Sequence, residues 1–179
     1  MGWQYFRAMN HLVGKLSRNR LGIRRGAEVG VCRGDMAKHL LNRFPNLSMV
    51  LVDVWDLLPP EGHIQQQDGH ENFAIAMKAL EPFWPRWHAM KCHSIEAAGI
   101  LLGAEQQFDF VFIDADHGRA AVRDDVAAWW PLVRRGGVLC GHDYGGKARG
   151  VKRAVDKFAN RRNLKVEGHK GHVWSIWKP

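Results

Sequence analysis

The sequence predicts an α/β fold, a doubly wound and mostly parallel sheet of about seven strands with helices on both faces. Short apolar runs alternate along the chain with segments whose apolar residues recur at helical spacing, which is typical of such sheets. The last two apolar runs, 164–168 and 172–178, have only a short turn between them. They predict a closing antiparallel hairpin, so that the last strand runs against the others.

The first part of the chain predicts two strands separated by a helix, followed by a long loop. The run GAEVGV (26–31) predicts a buried strand, and 34–44 carries apolar residues at helical spacing. The second strand is the run SMVLVDVW (48–55), which is almost wholly apolar until Asp53. The loop 56–70 is rich in proline, glycine and glutamine and is long for a compact domain, so we expect a lid or a binding loop.

The middle of the chain predicts two further strands and two helices. A helix over 71–80 leads to a short strand at 88–92, and another helix opens at Ser94. Ser94, with Glu96 soon after it, predicts an N-cap for that helix. The run FDFVFI, which begins at Phe108, is apolar enough to lie inside the sheet as the fourth strand.

The last part of the chain predicts a helix over 118–133, which Pro131 and the pair Gly136 and Gly137 bring to an end. A fifth strand over 137–144 follows. The glycine-rich turn GGKARG then leads into a final helix with apolar residues on one face, before the closing hairpin.

The composition is that of one folded domain. The chain has 179 residues, of which 46% are hydrophobic and 25% charged, close to globular averages. It lacks the apolar segment of a signal peptide and any run near the roughly 18 apolar residues of a membrane span, so we expect a cytoplasmic protein without a span. Cys32, Cys92 and Cys140 show no metal-binding spacing and are expected to be small buried hydrophobes.

The net charge of +8 is concentrated in two segments. Residues 1–25 hold six lysines and arginines and no acid, and residues 147–165 hold eight against one acid, Asp156. Such segments suit RNA, an anionic membrane surface or an acidic substrate. Two helices with solvated basic faces explain the same pattern, and the sequence leaves both interpretations open.

Charged residues stand where three of the predicted strands end. They are Asp53; Asp114, Asp116 and His117; and His142 and Asp143. In an open parallel sheet, ligands bind at the carboxyl ends of the strands. Gly30 and Gly34 follow the first strand and allow close backbone approach, and the next helix presents its N-terminus there. These features predict one ligand-binding crevice.

The glycine pattern narrows the class of cofactor that the crevice is expected to bind. A dinucleotide fingerprint, GxGxxG, would need glycine at 32 and 35, where the chain has Cys32 and Asp35. The pattern present, E-x-G-x-x-x-G, omits the glycine that admits a pyrophosphate, so a nucleoside without phosphates fits better. Asp53, 19 residues after Gly34, is placed to accept hydrogen bonds from ribose hydroxyls.

Four stretches in this order, GAEVGVCRGDMAKHLL, LVDVW, FDFVFIDADH and GGVLCGHDY…GVKRAVDKF, resemble the class I S-adenosylmethionine-dependent methyltransferases, most closely the methyltransferase 24 family. They are also similar to the metal-dependent catechol and macrolide-sugar O-methyltransferases. The resemblance covers residues 24–179 and implies a Rossmann-like sheet of seven strands with the last one antiparallel. We therefore expect a single methyltransferase domain over 1–179, with a basic N-terminal helix at 1–23 and a catalytic core at 24–179.

The resemblance also implies which residues bind S-adenosylmethionine. It assigns Glu28, Gly30 and Gly34 to the methionine part of the cofactor, Asp53 to the ribose, and Trp55 and Ser94 to the border of the adenine. Core packing is the alternative role for Trp55, and helix capping is the alternative for Ser94.

Metal ligands are implied at Asp114, His142 and Asp143. Relatives commonly carry Asp-Asn or Glu-Asp at the adjacent pair, so His142 departs from their pattern. Oxygen ligands suit Mg²⁺ or Ca²⁺, whereas an imidazole favours Mn²⁺, Fe²⁺, Ni²⁺ or Zn²⁺. In the alternative without a metal, Asp114 contacts the amine of the cofactor while His142 and Asp143 shape the substrate pocket by hydrogen bonds.

His117 lies three residues after Asp114, and the resemblance implies that it is the general base, with Asp114 as the second catalytic residue. An unperturbed histidine titrates near pH 6.5 and can accept a hydroxyl proton at neutral pH. The alternative for His117 is a cap of the following helix, a role that Asp116 could fill instead.

Together these expectations describe a methyltransferase that acts on a hydroxyl of a small molecule or glycan, with a divalent metal as an optional cofactor. The alternatives are an RNA methyltransferase, which the basic segments favour, and a non-catalytic S-adenosylmethionine-binding partner subunit. With no cap domain, the acceptor must be held by the loop 56–70, by residues after Tyr144, or by a second subunit of a homo-oligomer.

Overall fold

We describe the chain from a computed structural model. The structure describes residues 6, 7, 9–11, 13, 14, 23–55, 69–145 and 149–179. The predicted loop 56–70 lies outside the described residues except at its end, as do the central residues of the turn GGKARG and most of the segment 1–23.

The sheet has seven strands in the order β3-β2-β1-β4-β5-β7-β6. Strands β1 to β5 pair in parallel, and β7 pairs antiparallel with both β5 and β6. This confirms the predicted doubly wound α/β sheet with an antiparallel last strand. The strands are β1 Arg25–Val29, β2 Ser48–Asp53, β3 Trp87–Lys91, β4 Phe108–Ile113, β5 Val133–Gly141, β6 Glu167–His169 and β7 Val173–Trp177.

Helices cover both faces of this sheet, as predicted. They are α1 Asp35–Arg43, α2 Gly69–Leu80, α3 Ser94–Gly103, α4 Arg119–Trp129 and α5 Arg149–Asn160, with a short 3-10 helix at Glu81–Phe83. Every residue of β4 is buried, and successive side chains point to opposite faces. Phe110 and Phe112 therefore pack into one core with α1, while Val111 and Ile113 pack into a second core with α3, α4 and α5.

The N-terminal segment packs on α1. Its described residues between 6 and 14 are helical, and Met9 and Val13 are fully buried in the first core. The ring nitrogen Nε2 of His39 on α1 lies 2.9 Å from Oδ1 of Asn10. No described helix is both long and apolar enough to cross a membrane.

The strand order reverses between β1 and β4, which opens a crevice at their carboxyl ends. Gly30 follows β1 at this point with a φ of 89°, and a Cβ on it would lie 2.2 Å from the main-chain oxygen of Asp114. Asp114 follows β4 and donates its N–H to the carbonyl of Val29 over 2.7 Å. Only glycine allows this approach, so Gly30 is required by the fold itself.

Two predicted boundaries after α4 are wrong. The helix ends at Trp129 and not at 133, and β5 begins at Val133 and not at 137. Gly136 and Gly137 therefore lie inside the strand and do not end the helix. Gly136 has a φ of 72° and donates its N–H to the carbonyl of Lys178, so the glycines let the strand bend while the end of the chain pairs with it.

The three cysteines form no disulfide. Cys140 is fully buried, which confirms the expectation for that residue. Cys32 and Cys92 are only half-buried, because both lie at carboxyl ends of strands beside the crevice.

Candidate active site

The crevice brings together most of the residues predicted to bind ligands. Glu28 lies within β1, Gly30 follows that strand, and Asp53 is the last residue of β2. Asp114 follows β4, and His142 and Asp143 follow β5. Since these parallel strands are neighbours in the sheet, their ends form one edge, with the predicted cofactor residues on one side and the charged cluster on the other.

Glu28 is a buried acid with an unused acceptor. It is 2% exposed, and its Oε2 atom has no hydrogen-bond partner among the described residues. Burial raises the pKa of its carboxyl well above the ordinary value, and the negative charges of Asp114 and Asp53 raise it further. A cationic group beside Glu28 would supply both the missing hydrogen bond and the missing charge.

Asp53 holds the glycine turn that follows β1. Its Oδ2 accepts the backbone N–H groups of Val31 and Cys32 over 2.7 and 2.8 Å, and its Oδ1 accepts the N–H of Trp55 over 2.9 Å. An ionised carboxylate has about four acceptor positions, so about one remains for a ligand hydroxyl. Asp53 therefore shapes the turn and keeps about one acceptor position for a ligand.

Trp55 is packed inside the protein at the edge of the crevice. It is 3% exposed, and its indole N–H donates to the carbonyl of Cys32 over 2.9 Å. Its ring meets that of Phe73 edge-on, with 5.0 Å between the centroids. The alternative role of core packing therefore describes Trp55 as it stands in the structure.

Ser94 does not cap α3, so the predicted N-cap is wrong. His93 occupies the N-cap position and makes no side-chain capping hydrogen bond. The hydroxyl of Ser94 instead donates to Asp125 over 2.5 Å and accepts the indole N–H of Trp129 over 2.9 Å. Two side chains of α4 thus hydrogen-bond to this hydroxyl, which leaves it one acceptor position.

Asp125 is a buried acid that our sequence interpretation missed. Burial raises the pKa of its carboxyl to about 6, although the hydrogen bond from Ser94 acts in the opposite direction. A signal was present in the sequence, because Asp125 falls on the same helical face as the buried Val122 and Trp129. An acid on such a face needs a buried donor.

The opposite side of the crevice holds a cluster of two carboxylates and two imidazoles. Nε2 of His117 lies 3.0 Å from Oδ2 of Asp143 and 3.7 Å from Oδ1 of Asp114. Nδ1 of His142 lies 3.3 Å from Oδ2 of Asp143 and 3.7 Å from Oδ1 of Asp114. Asp143 reaches both rings from a left-handed turn with a φ of 60°.

The two carboxylates favour protonated histidine. The hydrogen bonds to Asp114 and Asp143 raise the pKa of His117 to about 10, against a smaller opposing effect of burial. Burial lowers the pKa of His142, but its hydrogen bond to Asp143 and the charge of Asp114 outweigh that effect, and the net shift is upward. Both histidines lower the pKa of Asp143. At neutral pH the cluster therefore holds imidazolium against carboxylate.

A divalent ion fits the donors of this cluster. One ligand atom each from Asp114, His117 and Asp143 lie within 4.8 Å of one another. Nδ1 of His142 is also close to both carboxylates, so the predicted ligand set of Asp114, His142 and Asp143 stays a prediction beside this one. Two carboxylates and an imidazole are a donor set that suits first-row divalent ions.

His117 is not a helix cap, which removes that alternative. Gly118 occupies the N-cap position of α4, without a side-chain capping hydrogen bond. Asp116 accepts the N–H of Gly118 over 2.6 Å within the turn before the helix. His117 instead points its ring at the carboxylates and remains 45% exposed, within reach of an incoming ligand.

The strand order, the glycine turn after β1 and the acid at the end of β2 agree with the pattern expected of class I S-adenosylmethionine-dependent methyltransferases. Residues 27–144 match the model of a family described as "Methyltransferase domain", methyltransferase 24, and the chain belongs to this family. No curated protein matches the sequence.

Solved structures of O-methyltransferases share the fold. The O-methyltransferase NovP is 15% identical with a TM-score of 0.70, covering 99% of this chain and 80% of that one. The calicheamicin methyltransferase CalS11 is 13% identical with a TM-score of 0.75, covering 97% of this chain and 78% of that one. An O-methyltransferase from Bacillus cereus, solved with SAH, is 15% identical with a TM-score of 0.67, covering 98% and 80%.

Proposed function

We propose that the protein transfers the methyl group of S-adenosylmethionine to a hydroxyl oxygen of a small molecule or glycan. The observation that carries the proposal is the crevice itself, in which a buried, partly unsatisfied acid at β1 faces a carboxylate–histidine cluster at β4 and β5. Membership of a methyltransferase family supports methyl transfer as the reaction. Proteins of similar fold that are described as O-methyltransferases, one of them acting on TDP-rhamnose, support a hydroxyl as the acceptor.

The cofactor would bind at the ends of β1 and β2. Glu28 fits the ammonium of the methionine part, because its Oε2 atom lacks a partner and burial disfavours its charge. The full set that we assign to the cofactor is Glu28, Gly30, Gly34, Asp53, Trp55, Ser94 and Asp114. In this set Trp55 and Ser94 act through their positions at the crevice edge, since their polar atoms already have partners.

His117 would receive the proton of the acceptor hydroxyl, with Asp114 and Asp143 orienting its ring. A base must be unprotonated, and a pKa near 10 keeps His117 protonated at neutral pH. We infer that His117 becomes a base only when another cation balances the two carboxylates. The positive charge of a bound sulfonium and a divalent ion both meet this requirement.

A metal would be held by Asp114 and Asp143, with His117 or His142 as the nitrogen ligand. When bound, such an ion lowers the pKa of a coordinated hydroxyl and fixes its oxygen. The imidazole favours Mn²⁺ or another first-row ion over Mg²⁺. If His117 serves as the ligand, it cannot also be the base, so the predicted set with His142 leaves His117 free for proton transfer.

Transfer of labelled methyl from S-adenosylmethionine to a panel of polyhydroxyl acceptors, with and without Mn²⁺, tests the proposal. We expect product with the wild type and a loss of at least about a hundredfold in His117→Ala, in line with the usual contribution of general base catalysis. His88→Ala, which removes an exposed histidine on the edge strand β3, is the matched control and should keep full activity.

Equal loss in both histidine variants would contradict the role of His117. Transfer of the label to RNA, and not to the polyhydroxyl acceptors, would assign the alternative RNA methyltransferase function. Binding of S-adenosylhomocysteine without transfer to any acceptor would instead support the non-catalytic partner subunit.

A further inference from the structure

One row of cations lines the outer face of α5. Arg149, Arg153, Lys157 and Arg161 follow one another at intervals of four residues and are all exposed; we call them the cationic stripe. The helical hydrogen bonding extends to the last member, because the N–H of Arg161 donates to the carbonyl of Lys157. The opposite face of α5 is buried in the second core through Val151, Ala154, Val155, Phe158 and Ala159.

The cationic stripe is electrostatically unfavourable for the protein alone. Like charges four residues apart on a helix repel, by about 0.2–0.5 kcal/mol per pair, and the first turn of α5 has no acid to match its dipole. None of the four cations has an ion-pair partner in the part of the chain that the structure describes. On the same helix, Lys152 does pair with Asp156 over 2.5 Å. A helix face that breaks these charge rules, with no ion pairs inside the protein to compensate, is typical of a functional surface.

The stripe begins beside the candidate active site. A Cβ on Gly150 would lie 2.9 Å from the carbonyl oxygen of His117 and 3.1 Å from the N–H nitrogen of Arg119. The start of α5, with Arg149, therefore packs directly on the turn that carries the candidate base. Arg119 is also exposed and adds a further cation at this junction.

The length and chemistry of the stripe favour a chain-like anion over a small one. Its four members span about 18 Å at the helical rise of 1.5 Å per residue, several times the size of a single anionic group. Three of the four are arginines, whose planar guanidinium groups bind carboxylates through two parallel hydrogen bonds.

Two other classes of partner fit this face less well. The described outer face of α5 carries no exposed aromatic ring on which bases could stack, because Phe158 is buried and the guanidinium of Arg162 lies over its ring. It also carries no exposed apolar side chain that could enter a lipid surface.

We propose that the cationic stripe docks an acidic glycan chain, so that one of its sugar hydroxyls reaches His117. This inference rests on the proposed function, since it names the class of acceptor for the same site. The carboxylates of the chain would bind along α5, while the sugar at the end of the stripe enters the crevice beside Arg149.

Fluorescence anisotropy with labelled oligogalacturonate tests the docking without any catalytic step. The fully methyl-esterified oligomer is the matched probe, because it keeps the sugar chain and loses the carboxylates. The stripe variant is Arg149→Gln, Arg153→Gln, Lys157→Gln and Arg161→Gln combined. The control variant removes the same charge elsewhere, through Arg7→Gln, Lys38→Gln, Lys78→Gln and Arg135→Gln, which are exposed cations outside α5.

We expect the wild type to bind the acidic oligomer and not the ester, with an affinity that falls as salt is added. The stripe variant should bind at least about tenfold more weakly and the control variant no more than about threefold, since each exposed charge contributes little alone. The stripe variant should keep its melting temperature and its affinity for S-adenosylhomocysteine.

Equal losses in the two variants, equal binding of the ester, or tighter binding of a single-stranded RNA of similar charge would each overturn the glycan inference. S-adenosylhomocysteine binding separates this failure from failure of the proposed function. A wild type that binds S-adenosylhomocysteine but no acidic glycan keeps the cofactor site of the proposed function and loses the docking inference. A wild type that binds only the glycan loses the methyl transfer.

Discussion

Replacing Glu28 with glutamine should make the ligand-free protein more stable and its cofactor binding weaker. Glu28 is 2% exposed, its Oε2 atom has no partner, and burial raises its pKa well above the ordinary glutamate value. Glutamine has almost the same shape and no charge. It therefore removes the cost of burying a carboxylate and keeps the packing against α1.

The gain in stability of Glu28→Gln over the wild type should depend on pH, and its sign follows from the raised pKa of Glu28. Because the pKa of Glu28 is raised in the folded state, the folded protein binds more protons than the unfolded chain between the ordinary and the raised pKa values. Wild-type stability therefore falls as pH rises through this window, by up to about 1.4 kcal/mol per pH unit for one group. The variant lacks this loss, so its advantage should be near zero at pH 4 and grow towards pH 8.

Binding should change in the opposite direction. A hydrogen bond to a charged group contributes about 1.5–3 kcal/mol, so Glu28→Gln should bind S-adenosylhomocysteine about tenfold to a hundredfold more weakly. Urea unfolding at several pH values measures the stability, and calorimetry measures the binding. Glu105→Gln, an exposed acid, is the control and should change neither. A stability difference that stays constant from pH 4 to 8, or unchanged binding, would refute this account of Glu28.

Three further predictions concern packing and protonation. Gly30→Ala should destabilise the fold by more than about 3 kcal/mol in urea unfolding, because its Cβ would meet main-chain oxygen and its φ is 89°. Gly99→Ala, with open space around its Cβ in α3, should instead stabilise by about 0.5–1 kcal/mol, and equal effects would contradict the close approach. Without metal, NMR titration should give His117 a pKa of about 10, and this pKa should fall in Asp143→Asn. The stability that this ion pair contributes is complete below pH 6.5 and is lost as pH rises through 10. A wild-type pKa near 6.5 would be inconsistent with the geometry. Asp125→Asn should keep the hydrogen bond from Ser94 and, between pH 4 and pH 7, gain up to about 3 kcal/mol in free energy of unfolding relative to wild type. The reason is that ionising the buried Asp125 carboxyl, whose pKa is about 6, costs stability in the wild type. No gain over that range would show that burial does not destabilise the carboxylate.

The sheet and its crevice could be predicted because their signals are local. The run from Phe108 to Ile113 is apolar except for Asp109, which predicts a strand buried on both faces. The charged residues that follow each strand are then brought to one edge by parallel pairing alone. For the same reason Asp53 and Asp114 could be placed at the crevice from the sequence.

The contacts inside the crevice could not be predicted, because they depend on how separate elements approach. Ser94 looked like a cap, and only the packing of α3 on α4 shows that Asp125 occupies its hydroxyl. His117 joins His142 in the carboxylate cluster because Asp143 adopts a left-handed turn that brings its Oδ2 atom to within 3.0 Å of His117 Nε2. A non-glycine residue rarely adopts that conformation, so no local pattern indicates it.

Calorimetric titration of S-adenosylhomocysteine into the wild type and Asp53→Ala tests the central claim most directly, since every proposal about the crevice requires this ligand to bind there. We predict one site per chain in the wild type and at least about a tenfold loss in Asp53→Ala, which removes the proposed ribose contact and three backbone hydrogen bonds of the turn. A folded wild type that gives no binding signal, or a folded variant that binds as tightly as the wild type, would contradict the account.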